Sequence, residues 1–208
     1  PALEWGIDDV GFVNAVLDDI IVNDGVAPDR IYATGLSNGS QMAHRLACEV
    51  SDRFAAVAGL AGTGVLGHCQ PARPIPFMYL HAVGAPCAPY DGGSGGHCTS
   101  QVLSEYLGRT IAPDTFQVDP VDGFVAGWRA RNGIASAGEV TFDNAATVCT
   151  TYRDSTLIPT EVTHCRIADG GHNWPGGSYG DICRLPWSRL CQITMSVVGS
   201  VPQSIDAN

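Results

Sequence analysis

Residues 30–47 read RIYATGLSNGSQMAHRLA, and the rest of the chain can be placed by what it does for Ser37 in their middle. Ile31, Tyr32 and Ala33 are β-formers or small apolar residues running into Thr34 and Gly35, whereas Met42, Leu46 and Ala47 recur at helical spacing beyond Gly39. The stretch predicts strand, sharp turn, helix. Its turn, Gly35-Leu36-Ser37-Asn38-Gly39, matches G-x-S-x-G, in which a serine sits on a strained strand-to-helix bend. Small residues two before and two after let neighbouring backbone pass close by. Such a hydroxyl projects above the carboxyl ends of a parallel sheet. The following helix aims its N-terminal dipole at the site, and the Asn38 N–H is placed to face a developing oxyanion. The alternative is a plain Gly-rich turn; the strand before and the helix after favour a nucleophile.

A chain of 208 residues suits one domain with a large core, taken here as residues 1–208 with no repeat and no linker. Hydrophobic residues make up 45% and charged residues 15%, far from the balance of a disordered chain. All 11 basic residues are arginine against 21 acidic ones, a net charge of −10. No basic run is present to neutralise phosphates, which argues against nucleic acid and anionic membrane surfaces as partners. With neither a signal peptide nor a transmembrane run in it, the chain is expected to be a mature or trimmed form.

The eight cysteines form no C-x-x-C pair and show no histidine spacing of a zinc site, so disulfides are expected. Cys183 and Cys191 can close a short loop, Cys87 and Cys98 flank the run YDGGSGG, and Cys149 and Cys165 lie on two β-like segments. Cys48 is then left with Cys69, although sequence leaves about 105 arrangements open. Such usage points to an oxidising compartment and a secreted, extracellular protein.

Along the chain, Ile7 to Asn23 reads as an amphipathic helix with Val10, Val13, Val16, Leu17 and Ile20 on its packed side. Asp8 and Asp9 fall in its first turn, where they suit the dipole and are structural. Phe54 to Leu60 is a continuous apolar run expected to be a strand buried on both faces, and Pro76 to His81 a second strand. Val121, Phe124, Val125 and Trp128 suggest a helix between Asp119 and Arg131. Val140–Phe142, Cys149–Tyr152 and Val162–Ile167 look like strands, and Ile193–Val198 like a final helix. Strands alternate with helices in the first half, which predicts an α/β fold with a mainly parallel sheet.

A serine nucleophile needs a base from elsewhere in the chain, and a histidine late in the sequence fits the order serine, acid, histidine. His172 stands in DGGHNWPGG (residues 169–177), a Gly-rich loop after a strand, whose glycines let an imidazole reach across the top of the sheet. The bland alternative stacks it on Trp174. His44, His68, His81, His97 and His164 lack comparable context and read as structural. Together GIDDVGFV, DRIYATGLSNGSQMAHRLACEVSDRFAAVAGLAG and GGHNWPGG resemble the secreted esterase family that includes polyhydroxybutyrate depolymerase-like proteins and feruloyl or acetylxylan esterases. The resemblance runs from Gly6 to Gly177. It implies an α/β-hydrolase in which Ser37 attacks a carboxylic ester and His172 is the general base, with no cofactor and no metal.

Two departures accompany the match. The family pattern H-G-T-x-D-P-x-x-P-Y aligns with His81-Ala82-Val83-Gly84-Ala85-Pro86-Cys87-Ala88-Pro89-Tyr90, so Ala85 holds the acid's place. Loss of the acid that fixes the imidazole can cost about 10⁴ in rate. Asp91 is the nearest substitute; without one, Ser37 and His172 form a weak dyad. The strands and the H-G segment that precede the first helix in the family, with the second oxyanion donor, are not in this sequence. The chain is therefore expected to be a fragment or a processed chain with a companion, ahead of a hydrolase that rebuilt that edge; otherwise the nucleophile strand is left with an unpaired apolar edge. Trp174 and Tyr179 either wall an acyl pocket for feruloyl or hydroxyalkanoate esters or belong to the core. A peptidase would use the same machinery. The competing class is a hydrolase-fold protein that has lost its acid and binds an ester, a polysaccharide or a protein partner.

Overall fold

A computed structural model of the chain describes residues 6–64, 67, 69–85, 87–94, 104, 108–112, 117–154 and 160–175. Helix α1 (Asp9–Asn23) begins where the Asp8 carboxylate accepts a hydrogen bond from the Gly11 N–H at 2.8 Å. That cap satisfies one of the amide donors left over at a helix start, and Asp9 adds favourable charge in the first turn. The Asp8 cap is the structural part its position implied. Val10 and Leu17 are buried, and Val13, Ile20 and Ile21 pack beside them. Val16, expected on the packed side, is exposed: a turn of about 100° per residue carries it off the line through Val10 and Leu17.

Six strands form the sheet, in the order β1 (Tyr32–Leu36), β2 (Ala56–Leu60), β3 (Phe77–Ala82), β8 (Thr160–Ile167), β7 (Thr147–Asp154) and β6 (Glu139–Asp143). β1, β2, β3 and β8 are mutually parallel, while β7 and β6 run antiparallel to their neighbours. Parallel strands end along one rim. The loops that start at Ser37, Ala61, Val83 and Ala168 therefore share that rim, where open α/β sheets place their ligands. A short ribbon of β4 (Gly93–Ser94) and β5 (Gln117–Val118) was not legible in the sequence, since two residues show no period.

One face of the sheet carries α2 (Asn38–Glu49) and α3 (Val121–Arg131). Alternate residues Val57, Phe77, Tyr79 and Val162 point to it and meet Ala43, Leu46 and Ala47 of α2 and Val121, Phe124, Val125 and Trp128 of α3. The four apolar residues that suggested α3 are the four it buries. Trp128 stacks on Phe77 with ring centroids 4.2 Å apart, so truncating it to alanine is expected to cost about 3–5 kcal/mol.

The opposite face carries Tyr32, Ala56, Ala58, Met78 and Leu80, and Tyr32 and Met78 on it are exposed. The expectation that Phe54–Leu60 is a strand buried on both faces is corrected here. The strand starts at Ala56, Phe54 enters the core just before it, and Ala56 and Ala58 are only half-buried. β1 pairs with β2 alone among the described strands, and Tyr32 on it is 66% exposed. Farther along this face the hydroxyls of Thr141, Thr151 and Thr163 form a ladder across β6, β7 and β8, each step 2.9 Å.

Disulfides join Cys149 to Cys165, the pair expected on two β-like segments, and Cys48 to Cys69, the pair left over; the first links directly opposed residues of β7 and β8. Cys87 is disulfide-bonded too. Cys98, Cys183, Cys191, His68, His97, Tyr179 and the Ile193–Val198 segment lie outside the described residues. No helix among the described residues is long and apolar enough to cross a membrane.

Candidate active site

Ser37 is where β1 turns into α2. Its backbone has φ 57° and ψ −119°, in the left-handed region that a residue with a Cβ enters at a cost of about 1–3 kcal/mol. The sequence permits the bend because of Gly35: a Cβ there would stand 2.2 Å from the carbonyl carbon and oxygen of Gly39. Several bonds hold the strained conformation. The Ser37 N–H donates to the Leu60 carbonyl at 2.8 Å, and the Gln41 N–H donates to the Ser37 carbonyl at 3.1 Å. The Ser37 hydroxyl does not cap the helix, and the neighbouring Asn38 is exposed at the first position of α2.

A second left-handed residue faces the first. Ala61, just past β2, has φ 50°, and its N–H donates to the Leu80 carbonyl at 3.1 Å. Gly62 follows and lies directly against the serine, since a Cβ added to it would meet the Ser37 carbonyl oxygen at 2.2 Å. The Ser40 hydroxyl donates to the Gly62 carbonyl at 2.8 Å, and the Gly62 N–H donates to the Tyr79 hydroxyl at 3.0 Å. The run Ala61-Gly62-Thr63-Gly64 after an apolar strand was the available sequence signal for this contact, and sequence reasoning passed over it.

His172 lies five residues beyond the end of β8, in a loop laid across the end of β3. A Cβ on Gly170 would meet the Ala82 Cβ at 3.0 Å, and the Val83 N–H donates to the Ile167 carbonyl at 2.9 Å. The imidazole is half-buried, and its Nδ1 is buried with no hydrogen-bond partner among the described residues. Burial, with His81 nearby, pushes its pKa down to about 4. No hydrogen bond joins Ser37 to His172, although their loops share the rim; such contacts are often long before substrate binds.

Ala85 is buried at 4% exposure and packs with Ala82, Leu80 and Ile167, so an apolar contact occupies the place expected to hold a carboxylate. Asp91 stands exposed in the turn that follows and makes no hydrogen bond to His172. Trp174 is exposed beside the histidine loop. His44 is structural, accepting a hydrogen bond from the Trp128 indole N–H at 3.2 Å. It also lies near Cys48 and Cys69, but those two sulfurs are bonded to each other and are not free to ligate a metal.

Sheet and site together define an α/β protein built around a strand, a strained serine turn and a helix. No protein-family model matches the chain. Among curated proteins it is similar to one named as an esterase, NocK of Nocardia uniformis subsp. tsuyamanensis, at 30% identity over 177 residues, or 82% of this chain and 50% of that protein. Feruloyl esterase B of Piromyces equi is 30% identical over 178 residues, 83% of this chain and 30% of that protein. Feruloyl esterase C of Emericella nidulans is 35% identical over 89 residues, 41% of this chain and 32% of that protein. The matched stretch thus spans at most half of these relatives' own length.

Proposed function

We propose that this chain carries the nucleophile and the general base of a serine hydrolase acting on carboxylic esters, within an α/β-hydrolase fold. The observation that carries the reading is Ser37 in a left-handed conformation between a parallel strand and a helix N-terminus. The likeness to proteins named as esterases supports it. In this reading His172 takes the Ser37 proton as the oxygen attacks the ester carbonyl, then returns it to the departing alcohol. Water repeats the cycle on the acyl-enzyme. The Asn38 N–H, at the start of α2, donates to the oxyanion. Feruloyl or other aryl esters, or hydroxyalkanoate esters, are the substrate class, with the exposed Trp174 of the histidine loop offering aromatic surface. The disulfides support an extracellular setting.

The test is mass spectrometry after treatment with a fluorophosphonate probe. Ser37 should carry the label, and Ser37→Ala should abolish both labelling and ester turnover, a loss of about 10⁴-fold or more. An unlabelled wild-type protein favours a second reading, a hydrolase-fold protein that binds an ester, a polysaccharide or a protein partner without cleaving it. One observation speaks for that reading: His172 Nδ1 is buried without a partner, beside a turn that holds Ala85 in place of an acid.

A further inference from the structure

Tyr79 and His81 are two residues apart on β3 and so point to the same face of the sheet, the one that carries the helices. Both are fully buried, and neither was assigned a part in the chemistry. Their hydrogen bonds leave one consistent arrangement of protons. The Tyr79 oxygen accepts from the Gly62 N–H, so its own proton points to His81 Nδ1, 2.9 Å away. His81 then carries its proton on Nε2 and donates it to the Ala88 carbonyl at 2.8 Å. Every polar atom of the pair has a partner, and burial keeps both rings neutral by raising the phenol pKa and lowering that of the imidazole. The chain of bonds starts at the peptide that touches Ser37 and ends in the loop after β3.

We infer that Tyr79 and His81 are positioning residues for Ser37. Through the Gly62 N–H they hold the Ala61–Gly62 backbone against the nucleophile, and through the Ala88 carbonyl they tie that brace to the loop beyond β3. The inference rests on reading Ser37 as the nucleophile. It explains why two residues in the left-handed region face one another: Ser37 and Ala61 each pay for a strained backbone, and such strain persists only where surrounding bonds over-determine it. The added Cβ position of Gly62 is 3.0 Å from the Ser37 Cα, so a retreat of this peptide leaves the serine room to relax.

The experiment compares Tyr79→Phe, His81→Asn and His81→Gln with wild type, using Tyr90→Phe as a control. Tyr90 also packs against His81, but its hydroxyl bonds to Asp122 rather than to the Gly62 peptide. The readouts are the fluorophosphonate labelling rate of Ser37, kcat and KM on an aryl ester, and hydrogen–deuterium exchange over residues 60–63. Tyr79→Phe should slow labelling and lower kcat by about 10- to 100-fold, with KM within about twofold. His81→Asn keeps an acceptor at the Nδ1 position and should retain the rate to within about threefold, whereas His81→Gln, whose amide reaches the Nε2 position instead, should lose as much as Tyr79→Phe. Exchange at 60–63 should rise in Tyr79→Phe and His81→Gln and stay at the wild-type level in Tyr90→Phe.

A Tyr79→Phe protein labelled at the wild-type rate overturns the inference and leaves the esterase reading standing, and so does equal loss in both His81 variants. If wild-type Ser37 is itself unreactive, the esterase reading fails instead. Exchange then decides the brace, which is overturned by unchanged protection at 60–63 in Tyr79→Phe. Should Tyr79→Phe not fold, the contrast between the two His81 variants carries the same decision.

Discussion

Ser37 and His172 stand on one rim of one sheet and are held in opposite ways. The serine has a strained backbone fixed by its N–H bond to Leu60 of β2 and by the Gln41 N–H of α2, with Gly62 packed against its carbonyl and Gly35 letting Gly39 pass close beneath. The histidine has an ordinary loop backbone and a buried Nδ1 with no hydrogen-bond partner among the described residues. Strain needs many partners to survive, whereas an imidazole can be buried by packing alone. One half of the proposed site is thus pre-organised by bonds, and the other half only by shape.

The largest effect that would break the contrast comes from giving His172 its partner. Ala85→Asp should raise kcat/KM by about tenfold or more, since a carboxylate at Nδ1 fixes the tautomer and stabilises the imidazolium. The same carboxylate raises the His172 pKa from about 4, so the acid limb of the pH–rate profile should move to higher pH. An unchanged profile would mean that the turn does not bring residue 85 to Nδ1. On the serine side, Gly35→Ala should cost about 2–3 kcal/mol in urea denaturation, because its Cβ would overlap the Gly39 backbone. Gly39→Ala is the matched control: its Cβ meets nothing within 4 Å, so a loss equal to that of Gly35→Ala would refute the steric account.

Acid should loosen the histidine side first. His164, 9% exposed, and His172 both have folded pKa values pushed by burial from 6.5 to about 4. Between those values the unfolded chain binds more protons, so stability present above pH 6.5 falls as the pH drops toward 4, with His164 alone contributing on the order of 3 kcal/mol. Urea midpoints at pH 7 and pH 4.5 check this, and a flat result would count against neutral burial. The smallest effect is expected from Asp91→Asn, which should alter kcat/KM by less than about twofold because the carboxylate is exposed and unbonded to His172. A large loss would restore Asp91 as the missing acid.

Legibility in the sequence divides along the same line. The strand, turn and helix around Ser37 could be read because glycines at 35 and 39 and the change of apolar period are local signals. The helix over 121–131 was equally plain, from four apolar residues at helical spacing. Two of the cysteine pairings were among the arrangements the sequence offered, one from its β-like segments and one as the remainder. What could not be read depends on the register of distant strands. That Tyr79 reaches Gly62, and that the other face of the sheet leaves Tyr32 exposed and Ala56 half-buried, follow from how β1, β2 and β3 line up. The absence of a carboxylate at position 85 was visible in the sequence. That His172 Nδ1 is left buried without a substitute required coordinates.

Handled in a tube, the chain is also a colloid, and β1 gives it a seam. Its outer edge is free among the described strands and carries the exposed ring of Tyr32, the kind of surface along which two copies can zip together. What keeps them apart is charge. With a formal net charge of −10 and an isoelectric point near 4.8, copies repel at neutral pH in dilute buffer, and added salt shortens the reach of that repulsion. Pairing along this edge is therefore expected to grow with ionic strength and as the pH nears 4.8, where the same loss of charge meets a weakened fold.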